Sequence, residues 1–163
     1  MNGFFKTSAA VLLAVLLESS VFPLYFSSEF KPDLLLIIMI YMALRAEVKY
    51  SLPTAYTLGL LKDCMSGLYL GLNAFSFLSI YLVIKALSDR LYVQSSLLFV
   101  LTVSIATVSS ILVNYLLLAI FSQASGLFPL MLSALLPSLL VNAFVASLIS
   151  SLPKFSALPV VRR

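Results

Sequence analysis

Long apolar runs separated by brief polar breaks set the pattern of this chain. A helix rises about 1.5 Å per residue and the hydrocarbon core of a bilayer is roughly 30 Å thick, so a spanning helix wants about 20 apolar residues. The first run, Thr7 to Phe26, meets that length and carries one acid, Glu18. A polar break follows over 27–33. The second run, Leu34 to Leu44, is short and ends at Arg45, Glu47 and Lys49. The third starts near Ser51 and is interrupted by Lys62 and Asp63. Pro53 falls in its first turn, where a proline loses no helical hydrogen bond. Gly67 and Gly71 loosen the chain before a fourth run, Leu72 to Leu87, closed by Ser88, Asp89 and Arg90. The fifth run extends from about Ser95 to Phe121, and a charge-free turn over 122–126 leads into the sixth. That last run, Leu127 to about Leu152, contains Pro129 and Pro137, and Pro153 ends it before a short basic tail.

The pattern predicts an all-α membrane protein. One integral domain spans residues 1–163, a six-helix transmembrane bundle with spans at about 7–26, 33–44, 51–66, 72–88, 94–121 and 127–152. Another layout turns the two short runs into a re-entrant hairpin and leaves four full spans. It would hold Arg45, Glu47 and Lys49 near mid-membrane at a cost of several kcal/mol. Two short or tilted spans are therefore preferred. Lys6 followed by apolar sequence looks at first like a secretory signal, but the run is too long and lacks a small-residue cleavage site. An uncleaved first transmembrane helix is expected.

Composition agrees with lipid as the main solvent. Hydrophobic residues make up 62% of the chain and charged residues 10%, against about 25% charged in soluble domains. The mean hydropathy is +1.13. With both termini inside, Lys6, Arg45, Lys49, Lys85, Arg90, Lys154, Arg162 and Arg163 fall on the cytoplasmic side, and Lys31 and Lys62 fall outside. That asymmetry follows the positive-inside rule. It accounts for the net charge of +4 without nucleic acid, since no basic cluster alternates with exposed aromatics. Cys64 stands alone, which excludes an internal disulfide and fits a small packing residue. The chain has no histidine, the commonest metal ligand and neutral-pH base. Its serines lack a histidine partner and no glycine-rich phosphate loop is present, so no catalytic, cofactor or metal site is predicted. Tyr25, Tyr50 and Tyr92 fall near predicted interfaces, where tyrosines anchor.

Polar residues at membrane depth are rare and usually face protein or a water-filled cavity. Counting along the predicted helices puts Glu18, Asp63, Asn73 and Asn114 in the outer half of the bilayer or at its edge. Asn142 falls roughly 24 Å below the turn at Gly126, towards the cytoplasm. The expectation is a polar cavity or partner groove opening outward and lined by Glu18, Asp63, Asn73 and Asn114, with Lys62 as counter-charge for one acid. The competing expectation is that these groups only hydrogen-bond between helices. Gly59, Asp63, Gly67 and Gly71 recur at spacing four, which stacks them on one helix face. Small residues there let another backbone approach, as in helix association within lipid. Ala10 and Ala14 repeat the spacing more weakly.

Several of these residues resemble the bacterial rod shape-determining MreD family. Pro32-Asp33-Leu34 resembles its P-D-L element. The stretch from Gly59 through Asp63 and Gly67 to Gly71-Leu72-Asn73 resembles its G-L-x-x-D…G…G-x-N signature. The stretch from Pro137 to Asn142 resembles its last helix. The motifs are short, but their order and spacing extend over nearly the whole chain. The resemblance implies a non-enzymatic scaffold of the elongation machinery in the bacterial inner membrane. It implies binding to the single-pass protein MreC and, through it, a link to MreB and to RodA with its penicillin-binding protein. It also implies a fold like the six-helix substrate-binding subunits of energy-coupling-factor vitamin transporters. On that reading Gly59, Gly67 and Gly71 admit MreC's helix, or a second copy of the chain, and Asp63 anchors it. Two rivals remain: a vitamin-binding transporter subunit using the cavity, and a flippase for cell-wall precursors. The lack of a cationic cluster able to grip a pyrophosphate counts against the second.

Overall fold

The computed structural model describes residues 2–25, 30–45, 48–66, 69–88, 96–121 and 127–151. Side chains are described over 8–24, 30–44, 51–66, 69–87, 96–120 and 133–151. The described elements are all helical: α1 (Asn2–Leu16), a π turn (Leu17–Val21), α2 (Phe22–Tyr25), α3 (Leu34–Arg45), α4 (Val48–Ser66), α5 (Leu72–Ser88), α6 (Ser96–Phe121) and α7 (Leu127–Ser151). The residues on either side of the π turn keep right-handed helical dihedrals, so α1, the turn and α2 form one rod. Within the described residues the bundle has six rods, matching the six runs read from the sequence.

The π turn has a local cause. Pro23 has no N–H to give the carbonyl of Ser19, four residues earlier, and its ring crowds that carbonyl. The backbone widens instead, and Phe22 donates its N–H to the Leu17 carbonyl five residues back. Widened turns of this kind occur often at functional sites, and Glu18 lies within this one.

α3 is the axis of the bundle. Leu35, Leu36, Ile37, Met39, Ile40 and Ala43 are all at most 1% exposed. A helix apolar on every side is stable only when surrounded, and α3 packs against α1, α4, α5, α6 and α7. Phe77, Tyr81, Phe99 and Val103 close the core around it. Tyr81 and Ser51, both 0% exposed, share a hydroxyl hydrogen bond of 2.6 Å, which satisfies the polar groups at that depth.

The outer surface is made for lipid. Leu97, Leu101, Ile105, Leu112, Leu116 and Ile120 of α6 are exposed at helical spacing, as are Leu136, Leu140, Phe144 and Leu148 of α7. Ser96–Ile120 and Ser133–Ser151 are long and apolar enough to cross a bilayer, yet only 28% and 11% of their most apolar stretches are buried. The core helix of a soluble protein would be mostly buried, so these faces belong against acyl chains.

Two boundaries differ from expectation. α4 begins at Val48 rather than near Ser51, so Pro53 sits inside the helix and not in its first turn. It is exposed there, so the carbonyl it leaves without a donor lies on the outer face. α3 has 12 residues, about 18 Å of helix. That is too short to cross a bilayer, and its shortness shapes the site.

Candidate functional site: a cavity above a half-length helix

Asp33 caps α3. Its Oδ1 accepts the Leu36 N–H at 3.1 Å, and its carbonyl accepts the Ile37 N–H at 3.1 Å. This is the usual service of an aspartate at a helix start. The same residue is tied to three other elements. Its backbone N–H donates to Asn142 Oδ1 on α7 at 2.7 Å. Its Oδ2 pairs with the Lys62 ammonium of α4. Glu18, on the π turn, adds a second carboxylate at the α3 N-terminus and accepts the Leu35 N–H at 3.1 Å. Two acids at the positive end of a helix dipole are favourably placed. Asn142 completes the link to α6 by donating to Thr107 Oγ1 at 3.2 Å, and Thr107 donates to the Val103 carbonyl at 2.8 Å.

These bonds fix how deep α3 starts. Asn142 lies nine residues before the end of α7, about 14 Å along the helix. Thr107 lies eleven residues after the start of α6, about 17 Å along. Both helix ends are on the side where α3 finishes, since Lys85 near the end of α5 reaches the Ala43 carbonyl at 3.2 Å. Asp33 therefore lies beside the middle of α6 and α7, and α3 runs along only one half of their length.

The other half holds a cavity of about 360 Å³. Asp33, Lys62, Thr107 and Asn142 lie at its floor, with Glu18 and Asn114 on its sides. Leu36, Met65, Ile111 and Ala134 supply apolar wall. Lys62 is further held by the ring of Phe77, 5.2 Å from its centroid.

A second capping cluster lies beside the cavity. Asp63, 1% exposed, receives the N–H groups of Gly71 (2.8 Å), Asn73 (2.8 Å) and Ala74 (3.2 Å) and the Asn73 amide (2.9 Å). A carboxylate on α4 thus satisfies the first N–H groups of α5. Gly71 has φ +99°, a conformation that favours glycine. Gly59 lets the two helices meet: a Cβ there would lie 2.4 Å from the Ala74 Cα. Asn73 Oδ1 in turn accepts from Asn114 Nδ2 at 3.1 Å, and Ser76 donates to Asn114 Oδ1.

The structure sorts the expected site residues. Glu18 and Asn114 line the cavity, and Lys62 pairs with Asp33. Asp63 and Asn73 do not line it; both are buried in the α5 cap. Asn142, expected outside the cavity, lies on its floor. The expectation did not bring Asp33, at the end of the polar break, to Asn142, and the structure joins them. The close approach expected of Gly59 is made to α5 within the chain, not to a partner, and Asp63 has no free oxygen to offer as an anchor. Gly71 shapes a turn, and a side chain there would meet open space. Gly67 lies outside the described residues. Ala14 is buried in the core and Ala10 is exposed. Thr107, Ser110 and Ser76 were missed. The signal was present in α6, where Thr107, Ser110 and Asn114 recur at spacings of three and four on a helix without charged residues.

All three stretches that resembled a known family therefore have structural work within the chain. Pro32-Asp33-Leu34 starts the half-length helix, Gly59 to Asn73 caps α5, and Asn142 holds Asp33. No curated protein and no solved structure matches the chain. The family model described as rod shape-determining protein MreD matches residues 2–152, and the chain belongs to that family.

Proposed function

We propose that this protein is a non-enzymatic scaffold of the bacterial elongation machinery, which binds MreC in the inner membrane and supports rod shape and lateral peptidoglycan synthesis. The observation that carries this reading is the family match over residues 2–152. The chain crosses the membrane several times with both termini cytoplasmic. In support, Lys85 and the helix ends at Arg45 and Val48 share one end of the bundle, while Lys31 and Lys62 lie towards the cavity. Excess positive charge marks the cytoplasmic side, so the cavity faces outward. Because Gly59 and Asp63 are used inside the chain, MreC's helix docks elsewhere, on the lipid-facing sides of the bundle. Through MreC the protein is linked to MreB and to RodA with its penicillin-binding protein.

Affinity isolation of the tagged protein from native membranes tests this. Recovery of MreC, and loss of rod shape when the protein is depleted, is the expected result. Isolation without MreC and unaltered cell shape would refute the scaffold.

The cavity favours a second reading, a substrate-binding subunit of an energy-coupling-factor vitamin transporter. Protein that leaves the membrane carrying a bound vitamin would support it against the scaffold. The absence of any matching solved structure leaves the likeness to those subunits without support of its own.

A further inference from the structure

The charges around the cavity do not all cancel within the protein. Asp33 and Lys62 neutralise each other. Glu18 is left with a backbone donor and no ion pair among the described residues. Lys31, two residues before Asp33, also lines the cavity without an ion pair among the described residues. One unmatched acid and one unmatched cation face the same space. Ser110, 5% exposed, lines it too, and its hydroxyl has no hydrogen-bond partner among the described residues.

The space also has a side entrance. α1 packs on α3 and makes no comparable contact with α4 or α7 among the described residues. Glu18 comes from the α1 rod, while Ala134 and Ser138 come from α7 and Met65 from α4. A lipid headgroup would enter the cavity between these helices. A volume of about 360 Å³ is at the small end for bound ligands. It accommodates a headgroup and leaves the chains in the bilayer.

We propose that the cavity holds the headgroup of a zwitterionic phospholipid with a primary ammonium, such as phosphatidylethanolamine. The ammonium donates to the Glu18 carboxylate and the Ser110 hydroxyl, and the phosphate lies against Lys31. The residues present discriminate among headgroups. A quaternary ammonium has no N–H to donate and is held best by aromatic rings, and no aromatic side chain lines the cavity among the described residues. A headgroup with a phosphate and no cation could use Lys31 but would leave Glu18 unmatched and facing an anion.

Native mass spectrometry of the full-length protein in detergent tests the proposal. The probes are phosphatidylethanolamine, phosphatidylcholine and phosphatidylglycerol of matched chains, with free phosphoethanolamine as competitor. No partner protein is needed, so the outcome is independent of the scaffold reading. The ethanolamine lipid should be retained about tenfold over the other two, the worth of one charge-assisted hydrogen bond. Glu18→Gln should lower it to the level of the choline lipid. Lys31→Gln, which breaks no bond that holds the fold, should weaken both phosphate zwitterions together and keeps the test open if Glu18→Gln misfolds. Equal retention of all three lipids, or a preference that survives both substitutions, would overturn the proposal. Displacement of the lipid by phosphoethanolamine at equal concentration would also overturn it, in favour of a soluble ligand.

Discussion

The backbone N–H of Asp33 donates to the side-chain carbonyl of Asn142 at 2.7 Å, joining residues 109 apart in the chain. This bond locates the start of α3 beside the middle of α7. It also means that one asparagine on α7 sets the floor of the cavity. Asn142→Leu would leave the Asp33 N–H buried without an acceptor and remove the donor to Thr107. The expected loss is about 2–3 kcal/mol of stability, read as a lower melting temperature of the detergent-solubilised protein. Asn142→Asp, which keeps an acceptor, should be milder.

Asp63→Ala would strand the N–H groups of Gly71, Asn73 and Ala74 in a buried place. An unsatisfied buried donor costs about 1–3 kcal/mol and a lost cap about 1 kcal/mol. The variant should unfold at markedly lower temperature, or fail to accumulate in membranes, with quantitative blotting as the check. Asp63→Asn should recover part of the loss.

Gly59→Ala is expected to act on the fold and not on partner choice, because the new methyl would meet the backbone of α5 at Ala74. Less folded protein should be recovered. On the proposed scaffold reading, the MreC copurified per folded molecule should stay unchanged. A normal yield with MreC lost would restore Gly59 as a docking residue.

Lys62 and Asp33 should show coupling. Lys62→Met alone leaves the partly buried Asp33 without its counter-charge, at a cost between the about 1 kcal/mol of exposed pairs and the about 3–5 kcal/mol of buried ones. Asp33→Asn keeps a capping side chain on α3. The double variant should therefore be more stable than Lys62→Met alone, measured by thermal denaturation of all four proteins. Additive losses would mean that the two charges act separately.

Six helices were legible because apolar runs report burial in lipid directly, and α5 was bounded at 72–88 from sequence. The short second run was also legible as a short helix. What that shortness produces was not. Nothing local to Asp33 says that its N–H meets Asn142, because the contact depends on a residue 109 positions away. For the same reason the small-residue spacing at Gly59 looked like a partner face. A glycine stripe reports that a backbone comes close and does not say whose backbone it is. Pro23 was the one local sign of the widened turn at Glu18, and it lies inside an apolar run whose length alone drew notice.

Thiol labelling in the Cys64→Ala background tests the central claim most directly, that a polar cavity opens on the outer face of a membrane bundle. Ser138→Cys lines that cavity, Leu116→Cys faces lipid, and Arg45→Cys ends α3 at the opposite side. A membrane-impermeant maleimide added from outside should modify Ser138→Cys promptly, leave Leu116→Cys untouched, and reach Arg45→Cys only after the membrane is opened. Labelling of Arg45→Cys from outside, or protection of Ser138→Cys from it, would contradict the account.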